Sequence, residues 1–246
     1  MISRHGQFTW DLRRQTVLYI IKTAKGAKMS NETLFLAINT FDRVLSSDSF
    51  LQIENIELET LCQIALACVL LAAKYFGDEY FHNKMVDGSF VKFKQDCFQK
   101  LLSNVKDCIQ TKTLFLIERI VYKIINANLT SCDPMYFLVR DGSFISKERS
   151  ISRVSWIMRM ALLDQAFVSA KPSELVASSA FLAELSLGIE DWDETNFAFF
   201  GVSKPIVVKL AIKLRNYIIE MDEDDLNEND MCHLNTIEDV TGLEND

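Results

Sequence analysis

A chain of 246 residues, 49% apolar and with only eight glycines and three prolines, is long enough for one large domain or two ordinary ones, and too sparsely punctuated for a succession of β-hairpins. Its net charge of −8 is concentrated at one end: residues 219–246 hold eleven of the 34 acidic side chains and no Lys or Arg, leaving 23 acids against 26 bases, or +3, elsewhere. Such a body is too weakly basic to point to nucleic acid, no run of eighteen apolar residues points to a membrane, and the residues around His5, Trp10 and Asp11 do not read as a signal peptide.

The elements follow from apolar periodicity. Leu12, Tyr19 and Ile20 mark a first helix ending near Gly26. Ser30 then serves as an N-cap with Glu32 in the first turn, and Leu34, Ala37, Phe41 and Val44 form one stripe down a second helix. From Glu57 to Tyr75 the pattern changes, because Ala65, Ala67, Cys68, Ala72 and Ala73 place small residues on several faces. A helix of that kind is central, with neighbours packed closely around it. Leu114, Ile117, Val121 and Ile124 define a further amphipathic helix over 112–126.

After residue 130 the order recurs. Asp133 before Pro134 is a cap followed by proline at the first helical position. Val154, Ile157, Met158, Ala161 and Leu162 mark a long helix. Lys171-Pro172-Ser173-Glu174 opens a second small-residue helix through Ala177, Ser178, Ser179, Ala180 and Ala183. Ser203 and Pro205 open the last helix, through Val208, Ile212 and Tyr217. Recurrence of a small-residue helix in each half suggests duplication. The acidic, aperiodic residues from 220 onward read as a disordered tail. Cys62, Cys68, Cys97, Cys108, Cys132 and Cys232 show no C-x-x-C spacing and sit mostly in helical runs, so they are expected to be reduced, with neither zinc nor disulfides.

The segment from Glu32 through Asp42-Arg43 to Ser46, followed by Leu70-Leu71-Ala72-Ala73-Lys74-Tyr75, resembles the cyclin box of mitotic A- and B-type cyclins. Ala161-Leu162-Leu163-Asp164 and the run Lys171 to Ala177 resemble the C-terminal cyclin fold, so the resemblance covers roughly residues 9 to 219. It implies an all-α chain of two tandem five-helix folds: an N-terminal box over 1–128, a C-terminal fold over 129–219, and the tail over 220–246. It implies a regulatory subunit that binds and activates a cyclin-dependent protein kinase in cell-cycle control, as a heterodimer in the nucleus and/or cytoplasm. Kinase substrates or inhibitors would be further partners. No cofactor, metal, nucleic acid or membrane is expected.

By the same resemblance, Arg13 and Asp42 correspond to a buried pair tying the first helix to the second. Lys74 and Glu118 correspond to the residues that hold the kinase's regulatory helix and its preceding loop. Read without the family, Lys74 ends an apolar helix where a cation suits the dipole, and Glu118 belongs to a solvated face. Both charges are expected near the surface of the free chain.

Three departures from the family pattern stand out. The stretch between Lys74 and Glu118 is longer than in mitotic cyclins, with an insertion at approximately residues 78–110. Phe90, Phe93, Cys97, Leu101 and Val105 make it an amphipathic segment expected to pack on the body. Phe76-Gly77 replaces the acidic pair that usually follows the lysine, with Asp78-Glu79 displaced. The first-helix patch that docks Arg-x-Leu motifs in related cyclins reads Leu12, Gln15, Thr16 and Tyr19, which is half polar and predicts poor docking.

Two other classes compete. An enzyme lacks a constellation, since His5, His82 and His233 are far apart and no phosphate loop, nucleophile elbow or H-E-x-x-H occurs. A transcription factor of the IIB type shares the tandem fold but calls for a basic face and an N-terminal zinc ribbon, neither of which the sequence shows.

Overall fold

The computed structural model describes residues 9–53, 56–76, 109–130, 134–139, 148–189 and 192–221. These form eleven helices, and the chain divides into two units, Met1–Ser131 and Cys132–Asp246.

The first unit contains α1 (Trp10–Gly26), α2 (Asn31–Leu45), α3 (Asp48–Leu51), α4 (Leu58–Phe76) and α5 (Thr111–Ile124). Thr9 caps α1 by accepting the Leu12 N–H at 3.3 Å, and Ser30 caps α2 by accepting that of Thr33 at 3.2 Å. Gly26 is helical, and the residue that turns the chain out of α1 is Lys28, at φ 54. The Met29 N–H reaches back to the Ala24 carbonyl at 2.9 Å, the six-residue closure of a Schellman-type end.

The centre is α4, where every residue from Ala65 to Ala72 is buried and α1, α2 and α5 all pack against it. Small side chains let three neighbours approach at once, which is why the pattern lacks a single apolar stripe. Among the described helices, α4 alone is long and apolar enough to cross a membrane, with mean hydropathy 1.5. Its burial by three helices accounts for that composition.

The second unit contains α6 (Pro134–Val139), α7 (Glu148–Ala161), α8 (Gln165–Val168), α9 (Pro172–Leu185), α10 (Glu194–Phe200) and α11 (Lys204–Glu220). Leu175 to Glu184 of α9 are all buried, with α11, α7 and α6 as its main neighbours. One end of α9 meets an aromatic cluster in which Trp192 stacks on Phe200, 6.0 Å apart and 3° from parallel, and meets Phe181 edge-on at 5.4 Å. The Trp192 indole N–H donates to the buried Glu184 carboxylate. Gly201, at φ 65, ends α10 in the left-handed conformation that suits glycine.

Each unit carries one feature beyond the expected helices. A single capped turn follows α2 and another follows α7: Ser47 accepts the Phe50 N–H at 3.2 Å, and Asp164 accepts the Ala166 N–H at 2.6 Å. Both turns drive a phenylalanine, Phe50 or Phe167, into the core three residues after the cap. The inserted segment, apart from Ile109 and Gln110, lies outside the described residues, as do Asp133, the four cysteines other than Cys62 and Cys68, and the tail beyond Met221. Cys68 is buried and Cys62 half-buried.

Candidate functional site

Lys74 lies in the last turn of α4 and Glu118 in the middle of α5. Their placement follows from how α5 rolls onto α4. The buried row of α5 continues as Leu114, Glu118, Val121 and Ile125, while Ile117 and Ile124 are only half-buried. The apolar stripe is thus turned by about one residue from the predicted one, and Glu118 enters it.

Glu118 is therefore not solvated: the residue is 8% exposed, which corrects the expectation of two surface charges. A carboxylate is tolerated there because Lys74 reaches it, Nζ to Oε1 at 2.5 Å, while the lysine side chain itself stays 48% exposed. The ammonium also lies 5.2 Å from the centre of the Phe115 ring. Lys74, Glu118, Leu71, Arg119, Tyr122 and Lys123 line an open cavity of about 380 Å³. Tyr75, Phe115, Leu116, Ile120 and Tyr122 are exposed on α4 and α5.

The C-terminal end of α5 is held by Arg43 of α2, which donates to the carbonyls of Asn128 at 2.7 Å and Ile125 at 3.4 Å. Both carbonyls lie past the last residue of α5, where the chain turns through left-handed Asn126 and Ala127, and that of Ile125 also accepts the Asn128 N–H at 3.1 Å. Arg43 thereby fixes α5 relative to α2, a connection that sequence spacing did not reveal.

Arg13 is fully buried and forms a two-pronged pair with Asp42, Nε to Oδ1 at 2.7 Å and Nη2 to Oδ2 at 2.8 Å. It ties α1 to α2, and neither residue lines the cavity. Cys68 is influenced by the same carboxylate: burial first, and the Asp42 charge second, push its thiol well above the ordinary range.

The four first-helix positions lie along one face of α1 but differ in burial. Gln15 is exposed, Leu12 and Tyr19 are half-buried, and Thr16 is fully buried with its hydroxyl donating to the Leu12 carbonyl at 2.7 Å. Thr16 is therefore not part of a polar docking surface, because its own helix satisfies the hydroxyl. Among the described residues no group of three His, Cys, Asp or Glu side chains is placed to hold a metal.

Two helical units, each built around one enclosed central helix, define the class of protein. Residues 1–130 match the family model of the cyclin N-terminal domain and residues 132–231 that of the cyclin C-terminal domain. This chain belongs to the cyclin family. It is 25% identical over 220 residues to a G2/mitotic-specific cyclin-B of Emericella nidulans, covering 88% of this chain and 41% of that protein. It is 28% identical over 217 residues to Cyclin-A1 of Carassius auratus, covering 87% and 50%. The chain thus spans about half the length of the curated relatives it matches. A viral cyclin from herpesvirus saimiri shares the fold, with TM-score 0.68, 13% identity and 89% of each chain covered.

Proposed function

We propose that the chain binds a cyclin-dependent protein kinase and activates it by positioning the kinase's regulatory helix. The observation carrying this reading is the Lys74–Glu118 pair, set beside an open cavity and bordered by exposed Tyr75, Phe115 and Tyr122. Such a place offers a partner backbone both a donor and an acceptor, with apolar surface around them to exclude water. Free kinases of this class hold the regulatory helix displaced, and binding energy spent on its active position restores the lysine–glutamate pair that catalysis needs. The partner supplies all the chemistry. The similarity to A- and B-type cyclins favours this reading over a DNA-binding factor of the IIB type.

Purified chain added to a panel of recombinant cyclin-dependent kinases should stimulate phosphate transfer by at least one of them. Lys74→Ala and Glu118→Gln should each weaken binding at least tenfold, an effect in keeping with loss of one partner from a buried polar contact, whereas Lys22→Ala on exposed α1 surface should not. Stimulation unchanged in both variants, with the fold checked by thermal unfolding, would remove the pair from the interface.

A further inference from the structure

We infer that Arg43 is a positioning residue: of two rolls open to α5 on α4, it selects the one that sets Glu118 against Lys74. The helix carries two candidate inner rows. Leu114, Ile117, Val121 and Ile124 are all apolar, whereas the row that is buried, Leu114, Glu118, Val121 and Ile125, contains a carboxylate. Ile117 and Ile124 stay half-buried at its edge. Burial of apolar surface therefore favours the first row, and a roll toward it carries Glu118 to solvent.

Contact with α4 does not decide between the rows. Among the described helices α4 is the only extensive neighbour of α5, and either row can seat in the grooves of a single partner helix. Lys74 is 48% exposed, so its pairing with Glu118 adds little to the choice. The contact that lies off α4 is made by Arg43, whose guanidinium donates to the Asn128 carbonyl at 2.7 Å and to that of Ile125 at 3.4 Å. Those carbonyls bracket Asn126 and Ala127, non-glycine residues at φ 53 and 57 whose left-handed backbone persists only where it is held. The turn is tied to the helix as well, because the Ala127 N–H closes on the Tyr122 carbonyl at 2.8 Å. Ile125 belongs to the same row as Glu118, two turns further on. Rolling α5 toward Ile117 and Ile124 swings these carbonyls away from α2, and the Arg43 bonds oppose it.

The inference rests on the proposed kinase binding only in its consequence for the partner, since the roll is measured on the free chain. Coupling between Lys74 and Glu118 is obtained by urea unfolding of Lys74→Ala, Glu118→Gln and the double variant, in the unaltered chain and again with Arg43→Met. Methionine keeps an aliphatic stem and removes the donors, and the coupling should fall to less than about half. Adding Ile117→Gln/Ile124→Gln removes the pull of the other row and should restore the coupling, a rescue that an arginine serving only stability would not give. Arg43→Lys, with a single donor group, should lie between the two and carries the test if Arg43→Met does not fold. Toward a kinase that the chain stimulates, Arg43→Met should bind at least about fivefold more weakly. Ser30→Ala, which removes the α2 cap, should lower the melting temperature without changing that affinity.

Coupling unchanged by Arg43→Met overturns the proposal. So does coupling that stays low once Ile117 and Ile124 are replaced, which would leave Arg43 as a brace for the turn alone. The two readings fail separately. A kinase that loses affinity for the Lys74→Ala chain but not for the Arg43→Met chain removes the positioning role and leaves the kinase reading standing. Coupling lost and then rescued in a chain that stimulates no kinase of the panel does the reverse.

Discussion

Lys74→Ala leaves the Glu118 carboxylate in a poorly hydrated position without its cation, whereas Glu118→Gln releases an ammonium that already reaches water. The two changes should therefore differ: about 1–3 kcal/mol lost for Lys74→Ala and less than about 1 kcal/mol for Glu118→Gln. The double variant should recover part of the larger loss, because the stranded charge is gone. Urea unfolding of the four chains measures this, and strict additivity would show the pair uncoupled. Cys68 offers a second test. Burial and Asp42 keep its thiol protonated in the fold, so its stabilising contribution is complete below the unfolded thiol's ordinary value. It is lost as pH rises above about 9, by up to about 1.4 kcal/mol per pH unit. Cys68→Ala should be less stable at neutral pH but decline more gently from pH 9 to 10. What the sequence revealed here is uneven. Arg13 and Asp42 were visible only through family resemblance, since nothing in their spacing marks a pair 29 positions apart. Glu118 looked like a face residue because a carboxylate inside an apolar row makes sense only once Lys74, on another helix, is known to reach it.

At the scale of elements, the helices were legible where caps and periodicity agree. Ser30, Pro172 and Pro205 stand where the structure starts its helices. The end of α1 shows how such signals can shift. Gly26 is the obvious stop, yet the left-handed residue is Lys28, because the closing bond from Met29 to Ala24 sets the turn two residues later. A lysine there carries the steric penalty that glycine escapes. Lys28→Gly should raise stability by up to about 1 kcal/mol, the conformational gain at this φ exceeding the added freedom of the unfolded chain. Chemical denaturation with matched slopes checks it, and a loss instead would mean the lysine side chain contributes more than its backbone strain removes. The single turns α3 and α8 were missed because four residues are too few for periodicity. Their mark was present as a capping residue three positions before a phenylalanine, Ser47 to Phe50 and Asp164 to Phe167.

For the whole chain, composition and the two small-residue helices were enough to indicate an all-helical, duplicated architecture, since few glycines and scattered alanines bear directly on backbone choice and packing distance. The roll of α5 was not legible, because it depends on contacts between elements distant in sequence. Each unit is built around one helix enclosed on several sides, α4 in the first and α9 in the second. Enclosure of that kind governs how the backbone opens. An amide in the middle of α4 or α9 can meet solvent only when the neighbouring helices separate, whereas amides on α5's outer face need only local fraying. In heavy water the chain should therefore show two separate stretches of slowest deuterium uptake, over Ala65–Ala72 and Leu175–Glu184, with α5 exchanging sooner than α4.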